Sequence, residues 1–365
     1  MSNNKQILSL QGWRAIMMII VIVSHVFGFN IIYGGAGEAM SFFFVLSGFV
    51  LSLGFGSKCL SFKFAEIKTF VKKRLNKIYP LYIIMLFFCL LMYIGFALVQ
   101  GEKGKIVKCL KYFFVDSVLL QAWIPLKEYY MSLNGVSWFL SSLLFSYMMF
   151  IPTNIVVNKI KNSSFKLIYV SLSLIFIALF CYELVCKNGG SNQYYTYVFP
   201  LYRYFEFVIG MLISEIFKNK NLSHAKESKV VFSVLEILII IFFLVEYLVG
   251  DVFSIKFGID GVMAFAQLAV MSLLIYVYSF EQGIVSRLIS SKVFLVLASI
   301  SFEMYLIHQP FQNAIGALFS KLDLTQFAAV ATVISTIIAA IIWTAITKKN
   351  KEKKICRGYY GIYHA

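Results

Sequence analysis

Two ionisable residues interrupt the first long apolar run of the chain, QGWRAIMMIIVIVSHVFGF: Arg14 and His25. An ionisable side chain inside a membrane span is read as functional by default, because placing it there costs free energy. Arg14 and His25 are separated so that, on a helix, the second falls ~20° past three full turns and about 16 Å further along the axis. They share one face. An anion clamp at one end of a channel and a base at the other would suit that pairing. The competing reading is an arginine that snorkels to headgroups and a histidine that sits at the opposite interface.

A second constellation lies near the end of the chain in SFEMYLIHQPF, where Ser301, Tyr305 and His308 fall on one helical face. Glu303 is ~200° from Ser301 and is expected to face a different neighbour. The alternative is a polar seam that joins two helices. In VKKRLNKIYPLY, Arg74 and Lys77 stand one turn apart, with Pro80 expected to open the next helix. A basic pair so placed suits a phosphate-rich ligand, although positive-inside topology or anionic lipid would also place cations there. Arg203 and Glu206, at i,i+3 in FPLYRYFEFVIGML, would form a local ion pair within a span, a structural role as much as a catalytic one. Glu38, at the mouth of the second apolar run, comes within reach of His25 if the connection between the first two helices is short.

These side chains need a scaffold that carries them into an apolar layer. Of 365 residues, 60% are hydrophobic and only 14% charged, whereas soluble domains average about 25% charged. Such a chain is an integral membrane protein. Its apolar runs are long and seldom alternate, which excludes a β-barrel. The first run is long, contains Arg14 and lacks a small-residue cleavage site, unlike a removable signal peptide. The pattern predicts an all-α polytopic membrane helix bundle with about ten transmembrane helices, over 8–29, 37–56, 78–99, 134–157, 165–186, 196–217, 230–249, 259–280, 293–314 and 324–347. Residues 1–365 then form a single membrane domain. With the N-terminus inside, inner segments carry 23 Lys and Arg and outer segments 8, which puts both termini in the cytoplasm by the positive-inside rule.

The stretch 101–133 fits a re-entrant or interfacial segment; were it to span, every later orientation would flip. Residues 58–77 are expected to lie along the cytoplasmic headgroups as a separate interfacial helix, with Phe64, Ile67, Val71, Leu75 and Ile78 as its apolar stripe. The tail 348–365 opens with a basic cluster that reads as topogenic. The net charge of +16 is carried largely by loops, so nucleic acid is not expected as a partner and the lipid bilayer is. The six cysteines show no metal-ligand spacing, and neither a structural disulfide nor a metal site is predicted.

Four segments together make the chain resemble the acyltransferase-3 family of membrane acyltransferases. They are Gly12-Trp13-Arg14 with His25, the run Ser41–Phe49, Arg74-Leu75-Asn76-Lys77-Ile78-Tyr79-Pro80, and Ser301-Phe302-Glu303-Met304-Tyr305-Leu306-Ile307-His308. They occur in family order from residue 7 to about 312. Two departures stand out. Lys77 replaces a usual second arginine and loses its bidentate geometry. Trp138-Phe139-Leu140-Ser141-Ser142-Leu143 lacks the glutamate that many members carry there. The resemblance implies an O-acyltransferase of the bacterial cytoplasmic membrane. It implies acetyl-CoA as donor substrate, with no permanently bound cofactor, and a surface or exported polysaccharide, or its lipid-linked precursor, as acceptor. On that reading Arg14 and His25 are catalytic, His25 as base or acyl carrier, and Arg14, Arg74 and Lys77 bind CoA. Glu38, Trp138, Arg203, Glu206, Ser301, Tyr305 and His308 are candidates for the acceptor side. The rival class is a transporter or flippase for a lipid-linked sugar or organic anion. Transporters often show an internal repeat or paired broken helices, and neither is visible.

Overall fold

The computed structural model describes residues 6–28, 35–55, 63–164, 166–174, 177, 194–222, 229–257 and 260–362. Among the described residues the regular structure is helical, without strands. The helices are α1 (Leu8–Val26), α2 (Gly35–Phe55), α3 (Phe64–Val99), α4 (Lys103–Ser117), a short α5 (Lys127–Tyr130) and α6 (Trp138–Ile160). A helical stretch α7 (166–174) follows. Then come α8 (Pro200–Leu222), α9 (Lys229–Phe257), α10 (Asp260–Tyr278), a short α11 (Ile284–Ile289), α12 (Lys292–Lys321) and α13 (Thr325–Ile362). Six helices among the described residues are long and apolar enough to cross a membrane: Leu8–Val26, Ala36–Phe55, Phe64–Val99, Trp138–Ile160, Lys292–Lys321 and Thr325–Lys349. Of the other four expected spans, three coincide with α8, α9 and α10, and the expected span 165–186 includes α7 and otherwise lies largely outside the described residues. The protein is an all-α membrane bundle.

One expected boundary is absent. The interfacial helix and the third span form a single helix, α3, of 36 residues, and Pro80 lies inside it. Pro80 cannot donate to the Asn76 carbonyl, but the exposed surface at Asn76 and Lys77 leaves that oxygen in reach of solvent. The helix therefore continues. At about 1.5 Å per residue it is some 54 Å long, well beyond an apolar layer of ~30 Å. Its lysine-rich start projects past the bundle, with Lys63, Lys68, Lys72 and Lys73 exposed.

Helices α1, α3 and α12 run parallel. Phe88 of α3 meets Phe311 of α12 at 6.3 Å between ring centroids, and Gln312 Nε2 donates to the His25 carbonyl at 2.7 Å. The bundle thus has an Arg14 end and a His25 end. Helix α4 turns back along α3: Phe113 packs on Phe87, Tyr82 donates to the Asp116 carbonyl at 2.7 Å, and Tyr79 donates to the Ser117 carbonyl at 2.8 Å. Falling α3 numbers meet rising α4 numbers, so α4 re-enters the bundle from the His25 end. It does not reach across, because Ser117 closes it and the chain returns through residues 118–137. The Asp116 carboxylate anchors that return by accepting from Ser132 Oγ at 2.8 and 2.9 Å. Helix α6 then runs towards the Arg14 end, where Phe150 stacks on Phe70 of α3 at 5.1 Å.

Close crossings set the rest. A Cβ on Gly48 of α2 would collide with the Phe207 carbonyl of α8, and one on Gly210 of α8 would collide with the Val45 carbonyl of α2. Small residues let membrane helices approach backbone to backbone. Charged ends are held too. Glu281 accepts from the Leu8 and Ser9 amides at the start of α1, satisfying donors that have no intrahelical partner. Glu236 of α9 does the same for Gly283, Val285 and Ser286 at the start of α11. Outward faces of α9 and α13, with Ile241, Phe242, Ile334, Ile338 and Ile342 exposed, present an apolar surface suited to lipid.

Candidate active site

Two cavities lie in opposite halves of the bundle. The first, about 230 Å³, is lined by Arg14 of α1, Arg74 and Lys77 of α3, Tyr147 of α6, and Ser301 and Tyr305 of α12. Five of the residues singled out from sequence as catalytic, donor-side or acceptor-side therefore meet around one volume: Arg14, Arg74, Lys77, Ser301 and Tyr305. Glu303 and Tyr147 lie close enough to Arg14 to interact with it electrostatically. Glu303 itself lines neither cavity. The helix period places it off the Ser301 face, and the packing of α1 against α12 brings Arg14 within electrostatic reach of it. The Arg74 guanidinium carbon sits 5.4 Å from the Phe70 ring centroid and 6.0 Å from that of Phe55. Aromatic faces hold a guanidinium by cation–π attraction while its N–H edge stays available to a ligand.

The second cavity, about 430 Å³, is lined by His25, Lys127, Trp138, Tyr197, Tyr305 and Gln309, among others. His25 Nδ1 lies 2.8 Å from the Val21 carbonyl. A carbonyl only accepts, so Nδ1 carries the proton and the basic lone pair belongs to Nε2. The His308 ring is 5.2 Å from the His25 ring. His308 itself is fully buried and lines neither cavity. Its Nδ1 donates to the Met304 carbonyl at 3.2 Å, and its Nε2 has no hydrogen-bond partner.

Met40 and Tyr305 line both cavities. The Tyr305 hydroxyl donates to the Val136 carbonyl at 2.6 Å and stands 3.8 Å from the Met40 sulfur. Val136 belongs to the return from α4, and Asn134 of the same segment donates to the Leu306 carbonyl at 3.1 Å. The re-entrant segment therefore builds one wall of the His25 cavity and holds the partition between the two volumes.

The remaining candidates lie elsewhere. Arg203 and Glu206 form a buried ion pair at 2.8 Å. Arg203 also donates to Ser41 Oγ at 3.1 Å and to the Tyr197 carbonyl at 2.7 Å, while Ser41 Oγ donates to Glu206 at 2.8 Å. Rings of Phe44, Trp138, Tyr197 and Tyr202 surround its guanidinium at 5.1–5.7 Å. The pair ties α2 to α8 and lines neither cavity. Glu38 is buried on α2 within electrostatic reach of Tyr197, while its neighbours Gly37 and Met40 line the His25 cavity. Sequence reasoning passed over Met40, Tyr147, Lys127, Gln309 and Gln312. Of these only the two glutamines carried a signal, as polar residues one and four places after His308 in an apolar run.

A family model described as an acyltransferase domain matches residues 7–347. No curated protein and no solved structure matches the chain.

Proposed function

The chain belongs to the acyltransferase-3 family of membrane acyltransferases, and we propose that it moves acetyl from cytoplasmic acetyl-CoA to a carbohydrate hydroxyl presented at the opposite membrane face. The acceptor is a surface or exported polysaccharide, or its lipid-linked precursor, and the Arg14 end of the bundle faces the cytoplasm of a bacterium. One observation carries this reading: a basic cavity and a histidine cavity abut at Met40 and Tyr305 in the middle of the bundle.

The donor's phosphates meet Arg74 and Lys77, which supply charge-assisted donors at the mouth of the first cavity. Its pantetheine arm passes Arg14 and brings the thioester carbonyl to Tyr305. The acceptor hydroxyl enters the second cavity beside His25. His25 Nε2 takes the hydroxyl proton as the oxygen attacks the thioester carbonyl carbon. The tetrahedral intermediate collapses with loss of the CoA thiolate, and the imidazolium returns its proton to that sulfur. His308, ring to ring with His25, keeps the base in place. An acyl-His25 intermediate divides the same transfer into two steps.

The test is transfer from radiolabelled acetyl-CoA into the carbohydrate fraction of membranes that contain wild type or His25→Ala protein. Label with wild type alone is the expected result. Equal label from both would remove His25 from the mechanism, and label from neither would remove acetyl-CoA as the donor.

A further inference from the structure

The first cavity changes character along its length. Its charged residues, Arg14, Arg74 and Lys77, lie on the Arg14 side, whereas Met18, Met40, Phe43, Phe139, Leu143 and Tyr305 surround the end that abuts the His25 cavity. Met40 is 2% exposed and Tyr305 3%. The Tyr305 ring lies 5.3 Å from that of Phe139, and its hydroxyl is already committed to the Val136 carbonyl. The inner end is therefore narrow and lined by apolar side chains, and the cation within electrostatic reach of Tyr305, Arg203, is already paired with Glu206.

We infer that this cavity accepts a short uncharged acyl chain and that Met40 sets the limit on its length. The inference rests on the acyl-CoA reading above and deepens it by naming the donor class. With the thioester carbonyl at Tyr305, the methyl of an acetyl group contacts the Met40 side chain, and further carbons would need the volume that Met40 occupies. A terminal carboxylate, as in a succinyl group, would be desolvated there while Arg203 stays committed to Glu206. Tyr305 forms the other half of the partition, so the acceptor oxygen approaches past its ring while Met40 blocks the chain.

The experiment compares acetyl-, propionyl-, butyryl- and succinyl-CoA as donors for the full-length protein in membranes, for wild type, Met40→Ala and Met40→Leu. The readout is the ratio of kcat/KM between donors within one preparation, which does not depend on how much protein is folded. An apolar pocket discriminates one methylene by about 10–200-fold, so wild type is expected to favour acetyl over butyryl by at least about tenfold. Met40→Ala should raise the butyryl-to-acetyl ratio about tenfold, and Met40→Leu, of similar volume, should hold the wild-type ratio. An unchanged ratio in Met40→Ala would overturn the role of Met40. Use of succinyl-CoA by wild type on a par with acetyl-CoA would overturn the uncharged class. Transfer from none of the four donors would overturn the acyl-CoA reading itself, and with it the inference.

Discussion

At the scale of residues, the same helix spacing that suggested Arg14 and His25 as partners sends them to different cavities. Arg14 faces the basic volume and His25 the other, with the Met40–Tyr305 partition between. A general base contributes about 10²–10⁴-fold to rate, so His25→Ala should lower kcat by that factor while protein level and membrane insertion hold. Immunoblotting and acetyl transfer on the same membranes check it. The Arg74 and Lys77 pair makes a separable prediction, because on the proposed reading it meets the donor's phosphates and not the reacting carbon. Charge-assisted hydrogen bonds are worth about 1.5–3 kcal/mol, so Arg74→Gln with Lys77→Gln should raise KM for acetyl-CoA about tenfold or more. The kcat should change little, and a titration of donor at saturating acceptor would reveal the split. Arg203 and Glu206 were legible as a pair at i,i+3, but nothing local indicated that Ser41 and four aromatic rings would enclose them.

At the scale of elements, the apolar periodicity identified the helices but not how they join or how closely they pass. The expected break before the third span does not exist, since Pro80 is carried within α3. Gly48 lies in the run Ser41–Phe49, and its place is explained by the α8 carbonyl it touches rather than by chemistry. Overpacking a tight contact costs about 1–3 kcal/mol; Gly48→Ala or Gly210→Ala should destabilise the bundle by that amount, seen as a lower melting temperature in detergent. The re-entrant segment offers a sharper case. Asp116→Ala removes the carboxylate that holds Ser132, and losing a buried hydrogen-bond partner costs about 1–3 kcal/mol. Because residues 131, 135 and 136 line only the His25 cavity, KM for the acceptor should rise while KM for acetyl-CoA stays near wild type. Equal rises in both would assign Asp116 to general stability instead.

At the scale of the molecule, α4 enters and leaves from one end, so it does not alter the alternation of later helices. Lys63 before α3 and Lys161 after α6 then belong to one end of the bundle, and Glu102 between α3 and α4 to the other. Single cysteines at 63 and 161 should react with a membrane-impermeant thiol reagent only from the cytoplasmic side. A cysteine at 102 should react only from outside, and one at 117 from neither side. Reaction of 161 from outside would make α4 a true span.

Membrane residence, the helical class and the faces of α1 and α12 that carry polar groups were all determined by the sequence itself. Each follows from composition and from the period of a single helix, which need no neighbour to be read. The tertiary structure alone decided which helices touch. Only packing brings Glu303 to Arg14, folds α4 back along α3 and sets Met40 against Tyr305 between two cavities. A helix's period says which way a side chain points from its own axis, whereas a site depends on what stands opposite, and that is settled by backbone approach at residues such as Gly48 and Gly210.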